Sequence, residues 1–418
     1  MLENIFSCPT YKPTKIHNVN KDVPCLYVVE HENSRLFSLL RKQLQGFIEV
    51  DLINGKSLKN YPHVVIFWEY LGEDSDFPHQ TFNSVQKRYP DTEITLCIDD
   101  VYEGLIDEEY IKIIENSNLD ISKWFVVTSN NKLSHDNVFV LNYHLYNSYF
   151  DNVWPKHVEF DCNQTLREKK FFCPNRQERL HRILAVDHFI KKDFVKHSYI
   201  SCPFVELQYA ISNKDLLEDN FGTKITDLSY NRKYKSIDEL LQYNFSENQI
   251  SRFQNSLPLY LEGEENKHLS ARNLPDISSY FKQSYWSIVT ERDFFKSDQY
   301  EGFTEKTVKC ILFGHPFIII GLPNTLSYLR KLGFMTFGRF IDESYDNIQD
   351  DDKRLCAAFE QIDNLAALNY NDLQLQRKKM IPILKHNYKR FFEIHNSLPN
   401  IEMVNLLEQL ADNHHQEL

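Results

Sequence analysis

The chain is 418 residues long, 42% hydrophobic and 25% charged, with a formal net charge of −12. That length suits two domains, each with its own core. The acidic balance argues against bulk DNA or RNA binding, which calls for a basic surface that displaces counterions, and no apolar run approaches the length of a membrane span.

The eight cysteines are scattered, with no Cys-x-x-Cys pair, and read as reduced core thiols rather than a disulfide framework or zinc site. The N-terminal MLENIFSCPTYK has neither a basic nor an apolar leader segment, so a cytoplasmic location is expected, peripheral contact with the inner face of a membrane included. After an irregular lead-in, Cys25–Val29 reads as the first strand, with Glu30-His31-Glu32 in the turn after it. Leu36, Leu39, Leu40 and Leu44 predict a helix over Arg35–Leu44. Strands are predicted at Phe47–Ile53, Val64–Trp68, Glu93–Ile98, Trp124–Thr128 and Val138–Leu141, with helices at Phe82–Tyr89 and Glu108–Glu115. This rhythm predicts an open, doubly wound α/β domain, in which ligands sit beyond the carboxyl ends of the strands. Three acid-bearing turns lie there: Glu30-His31-Glu32, Glu69 and Asp99-Asp100.

Residues 150–167 read as a connection, dividing the chain into 1–160, 161–390 and a C-terminal helix with polar tail over 391–418. Lys169–Pro174 opens the second unit as a strand. Asn175-Arg176 and His181-Arg182 follow and lead into a helix over Ile183–Ile190, which sets cations at a helix start beyond a strand end. The forks of Arg176 and Arg182 match phosphate oxygens in pairs; the alternative is a basic helix start held by Glu178 and Asp187. Tyr199–Ser201 reads as a strand, 206–275 as a polar insertion, and Trp286–Val289 as a short strand followed by Glu291.

Glu305–Phe313 has helical spacing and ends at Gly314, a residue free to take positive φ. Pro316–Ile320 is the apolar run of a strand covered on both faces. Asn324 or Thr325 is the expected cap of a helix that ends at Gly333-Phe334. Thr304-Glu305-Lys306 stands at a helix N-terminus, where free N–H groups and the dipole attract anions. There a lysine adds charge for a phosphate and a glutamate accepts from both hydroxyls of a ribose. The plainer reading makes Glu305 a first-turn acid and Lys306 its solvated partner. Asp350–Asp352 reads as a solvated helix start. Two amphipathic helices, Leu355–Leu368 and Leu373–Tyr388, follow, the second kinked at Pro382, with a last helix in 400–418.

The succession Thr304-Glu305-Lys306, helix, Gly314-x-Pro316-Phe317-Ile318, Gly321, helix, Gly333-Phe334-x-Thr336-Phe337 resembles the donor-binding half of GT-B glycosyltransferases. It is similar to the fucosyltransferase-like group, whose Tyr/Phe-x-Thr-Glu-Lys motif contacts the sugar nucleotide; here Phe303 directly precedes Thr304. Asp342-Glu343-Ser344-Tyr345-Asp346 resembles bacterial and phage glycosyltransferase-like proteins, which carry a similar Asn-Arg and His-Arg pair. The resemblance covers the C-terminal half. It implies two Rossmann-like doubly wound domains facing a cleft, with C-terminal helices crossing back. It implies a glycosyltransferase that moves a sugar from a nucleotide-activated donor to a hydroxyl acceptor, such as a bacterial surface glycan, with no cofactor and no metal. Asn175, Arg176, Arg182, Glu291, Thr304, Glu305 and Lys306 would then bind the donor, with Arg176, Arg182 and Lys306 on the diphosphate, Glu305 on the ribose and Glu291 near the sugar. An inverting transfer also needs a base, for which Glu30, His31 and Asp99 are the candidates, although each also reads as a loop acid or cap. The rival readings are transfer of a non-sugar group from a nucleotide-linked donor and a non-catalytic scaffold. Glycosylation of DNA bases is disfavoured by the acidic charge.

Overall fold

The structure, a computed structural model, describes residues 25–29, 48–49, 63–69, 93–100, 110–111, 124–130, 132–135, 138–140, 160, 165–175, 179–202, 245–257, 259, 261, 277–295 and 302–412. Its strands form two parallel sheets. The first has six strands, β1 (Cys25–Val29), β2 (Ile48–Glu49), β3 (His63–Glu69), β4 (Glu93–Asp100), β5 (Trp124–Thr128) and β6 (Val138–Val140), in the order β2-β1-β3-β4-β5-β6. β1 pairs with β2 on one side and β3 on the other, so the strand order reverses between β1 and β3.

The predicted strands recur with small shifts at their ends, except that of Phe47–Ile53 only Ile48–Glu49 is described. β4 is longer than expected: Asp99 and Asp100 belong to the strand, in register with Val127 and Thr128, and are not in a following turn. Pairing on both sides, Asp99 with Glu69 and Val127, outweighs the low strand preference of an acid. Glu30 and His31, and the predicted helices Arg35–Leu44 and Phe82–Tyr89, lie outside the described residues. Of Glu108–Glu115, positions 110 and 111 are described and are helical.

The second sheet has four strands, β7 (Lys169–Pro174), β8 (Ser198–Ser201), β9 (Ser284–Thr290) and β10 (Phe317–Ile320), in the order β10-β9-β7-β8. Every residue of β9 and β10 is buried, as a parallel sheet covered on both faces requires. Helix α1 (Leu180–Lys191) joins β7 to β8; α2 (Glu247–Ser256) and α3 (Ile277–Gln283) precede β9; and α4 (Glu305–Leu312) joins β9 to β10. Then come α5 (Thr325–Lys331), α6 (Asp351–Ala367) and α7 (Tyr370–Asp412). Among the described residues, no helix is long and apolar enough to cross a membrane.

Aromatic packing fills the sheet–helix layers. Phe172 of β7 stacks on Tyr280 with centroids 5.6 Å apart and meets Phe281 edge-on at 4.9 Å. Gly314 ends α4 at φ +56°, and a Cβ there would lie 2.5 Å from Phe160 Cε2, so both the turn and the close approach require glycine.

Three expectations change. Asn324 is the N-cap of α5, as expected, but its side chain does not do the capping. Asn324 is left-handed at φ +67° and makes no side-chain cap bond, and the carboxylate of Asp346 accepts from Leu326 N (2.9 Å) and Ser327 N (3.1 Å) instead. Asp187 does not hold the start of α1; it takes the fork of Arg252 at 2.7 and 2.9 Å and ties α2 to α1. α7 is one 43-residue helix that passes through Pro382 and Pro399, not two pieces. Proline removes one intrahelical bond, but between Arg377 and Arg390 α7 is fastened to the ends of other helices. Arg377 Nη1 donates to the Gly314 carbonyl (3.3 Å), Asn387 Nδ2 to Met335 O (2.8 Å) and Arg390 Nε to Leu332 O (2.8 Å).

The Asp342–Asp346 stretch has architectural work. Glu343 accepts from Thr336 Oγ1 (2.7 Å), the Phe337 N–H and Arg330 Nη1 (3.1 Å), and the Tyr345 hydroxyl accepts from Ile319 N (3.2 Å).

Candidate functional site

From β7 the chain passes through α1 to β8 on one flank, and its next strand, β9, lies on the other flank. The strand order therefore reverses between β7 and β9, which opens a crevice at their carboxyl ends. The first residue beyond β7 is Asn175 and the first beyond β9 is Glu291. Asn175 is 2% exposed and stitches three strand ends: its N–H donates to Ser201 Oγ (3.1 Å) and its Oδ1 accepts from Thr290 Oγ1 (2.6 Å).

Helix α1 brings basic side chains to this edge. His181 Nε2 lies 2.9 Å from the Glu291 carbonyl, and Arg182 Nη2 donates to the same oxygen at 3.0 Å. Arg179 Nη1 donates to the Arg292 carbonyl (2.7 Å) and lies 3.8 Å from Asp293 Oδ1. Burial first, and then the charge of Arg182, hold His181 well below its usual pKa. The ring is therefore neutral, and because a carbonyl can only accept, its proton is on Nε2. The ring stacks on Phe294 (5.3 Å, 16°), and the Arg354 guanidinium lies 4.4 Å from the Phe294 ring centroid. Burial, with the charge of Arg179 behind it, pushes the Arg182 guanidinium down to about 9, against the opposing pull of Glu291, Glu305 and Asp293.

Helix α4 brings the other half. Thr304 is its N-cap and accepts from Lys306 N (3.4 Å) and Lys306 Nζ (3.1 Å). The Lys306 ammonium is 3.3 Å from Glu305 Oε1. Burial lowers its pKa; Glu305 and Glu291 oppose the shift, and Arg182 and Arg179 add to it. The carboxylate of Glu291 lies against the first turn of α4: Oε1 accepts from Thr304 N (3.2 Å) and Thr307 Oγ1 (2.6 Å), and Oε2 accepts from Thr304 Oγ1. Exposure separates the roles. The side chains of Lys306 and Glu305 keep 28% and 22% of their surface, whereas Arg182 and Glu291 are each 3% exposed.

Of the residues singled out in the sequence, Arg182, Glu291, Thr304, Glu305 and Lys306 thus come together, with Asn175 on the strand ends beside them. Arg176 and Glu178 lie outside the described residues. Asp99 is on the other sheet. Sequence reasoning took His181 only as a cation beside Arg182, and it missed Arg179 and Thr307. The signal for Arg179 was its place beside Arg182 at the helix start, and for Thr307 its position one turn after Thr304. The cluster offers an anion a half-buried ammonium backed by a buried guanidinium, with a carboxylate alongside to accept from hydroxyls. Among the described residues, no group of three or more His, Cys, Asp or Glu side chains is gathered as a metal ion would need.

No protein-family model matches the chain, and no curated protein matches it. A crystal structure of an alpha1,3-fucosyltransferase aligns with 95% of this chain and 92% of its own, at a TM-score of 0.39 and 10% sequence identity. A likeness of that size decides neither fold nor activity.

Proposed function

We propose that the chain is a glycosyltransferase that moves a sugar from a nucleotide-activated donor to a hydroxyl of a glycan, with its two sheets belonging to two domains of GT-B type. The observation that supports this best is the meeting of Arg182 from α1 and Lys306 from α4 at the strand ends where the order of the second sheet reverses. In the transfer, the bond from the anomeric carbon to the diphosphate oxygen breaks, and a bond to the acceptor oxygen forms. Charge builds on the departing diphosphate, where fixed cations help most. Lys306, whose side chain is the less buried of the two, makes the contact, and buried Arg182 adds its field. Glu305 accepts from the ribose hydroxyls. The acceptor proton passes to a base at the carboxyl end of the first sheet, for which Glu30, His31 and Asp99 remain the candidates. The arrangement calls for no metal or cofactor, because the two cations meet the leaving-group charge.

Thermal-shift screening against UDP-, GDP-, CMP- and dTDP-sugars would identify the donor, since a tight ligand stabilises the folded state by mass action. Lys306→Ala and Arg182→Ala should each lose about 2–4 kcal/mol of transition-state stabilisation and leave the fold intact. Normal turnover in both variants would refute the donor-site assignment. A chain that no nucleotide stabilises would point to a scaffold, and a product mass without an added sugar would point to another transferred group.

A further inference from the structure

Every polar group of Glu291 is used, and each is used on a different element. Its N–H donates to the Ile320 carbonyl at the end of β10 (2.9 Å). Its carbonyl receives His181 Nε2 (2.9 Å) and Arg182 Nη2 (3.0 Å) from α1. Its carboxylate receives the Thr304 N–H and hydroxyl and the Thr307 hydroxyl from α4. Gly321 makes room for this, since a Cβ there would stand 3.2 Å from the Glu291 Cβ. The loop that carries Glu291 is held from α6 as well: Arg354 Nη2 donates to the Phe294 carbonyl (2.8 Å) and Arg354 Nε to Gly321 O (3.1 Å).

We propose that Glu291 is a positioning residue that sets the distance between the two cation-bearing helices, gripping α1 through its carbonyl and α4 through its carboxylate. It does this without touching the donor. The carboxylate takes three hydrogen bonds from Thr304 and Thr307 and is buried against the α4 first turn, so it holds the place an external anion would take at that helix N-terminus. The ligand is left to the side chains of Glu305 and Lys306, one residue further along the chain. The inference rests on the reading of Arg182 and Lys306 as the diphosphate site, and it replaces the expectation that Glu291 meets the sugar.

The role requires hydrogen-bond acceptors more than charge. In Glu291→Gln the amide oxygen keeps the bonds from Thr304 N and Thr307 Oγ1, and the Thr304 hydroxyl turns to accept from the new NH₂. Glu291→Ala removes all three contacts. Thr307→Val removes one and leaves the volume nearly unchanged. The probe is inorganic pyrophosphate, titrated calorimetrically into the full chain, which needs no knowledge of the nucleotide or sugar. Glu291→Ala and Thr307→Val should each weaken pyrophosphate binding about tenfold, the scale of a lost hydrogen bond to a charged group. Glu291→Gln should stay within about threefold of the wild type. If Glu291→Ala does not fold, Thr307→Val alone decides. Pyrophosphate affinity unchanged in Thr307→Val or Glu291→Ala, while Lys306→Ala loses it, overturns the positioning role and leaves the site standing. Loss in Glu291→Gln as deep as in Glu291→Ala also overturns it, by showing that the charge itself is needed. A wild type that does not bind pyrophosphate, or a Lys306→Ala variant that binds it normally, overturns the functional reading and this inference with it.

Discussion

Replacing Arg182 with methionine should make the protein more stable and less able to hold an anion. The guanidinium is 3% exposed, and burial pushes its pKa from the usual arginine range down to about 9. The native state thus binds this proton less tightly than the unfolded chain does. The unfolded state holds more protons above about pH 9, so stability rises with pH there, and at neutral pH the whole cost of the buried charge is present. At about 1.4 kcal/mol for each tenfold change in proton affinity, that cost is about 5 kcal/mol at most. Methionine fills a similar volume, and the Glu291 carbonyl keeps its bond from His181 Nε2 at 2.9 Å, so that acceptor is not orphaned. Against the relief stand about 1–2 kcal/mol for the lost hydrogen bond and about 1 kcal/mol for imperfect repacking. A net gain of about 2 kcal/mol follows, or on the order of 2 °C in Tm. Denaturant and thermal unfolding at pH 7 measure it, and the margin over the wild type should shrink as pH rises through about 9. A variant less stable than the wild type by more than about 2 kcal/mol would refute the reasoning, because the bonds of Arg182 would then outweigh the cost of burying it.

Gly314→Ala forces a side chain into φ +56° and toward Phe160 Cε2, 2.5 Å away. It should cost about 1–2 kcal/mol for the left-handed conformation plus about 1–3 kcal/mol for overpacking, read as a lower denaturant midpoint. Adding Phe160→Ala should recover only the second part. Tyr345→Phe deletes the acceptor 3.2 Å from Ile319 N and should cost about 1–3 kcal/mol. Amide exchange at Ile319 should accelerate in step, and unchanged exchange there would rule out the bond.

Strands were legible where an apolar run has polar borders: Trp124–Thr128 and Lys169–Pro174 come out residue for residue. β9 is longer than its apolar signal because Ser284 and Tyr285 are held from a distance. The Ser284 carbonyl accepts from Arg167 Nη1 (2.7 Å), and the Tyr285 hydroxyl accepts from Arg167 N (3.0 Å). Lys306 and Arg182 were legible because each follows a helix start that comes after a strand, a local arrangement that spacing reveals. The grip of Glu291 was not, since its carbonyl partners lie 109 and 110 positions away in the chain. The same holds for the carboxylate that caps the α5 N–H groups: Asp346 reaches back 20 positions to Leu326, and nothing near Asn324 announces it. The helix expected separately in 400–418 was misread in the opposite sense, because α7 runs on through Pro399 as one helix.

β10 is an outer strand of its sheet, four consecutive apolar residues, Phe-Ile-Ile-Ile, beyond which no further strand pairs among the described residues. Such a border invites another chain to add itself. Tyr345 bars that approach by occupying the Ile319 N–H, and the Asp342–Asp346 stretch holds Tyr345 there through Glu343 and Asp346. A lesion in that stretch should therefore first appear as self-association of the protein, before any change at the cation cluster is seen.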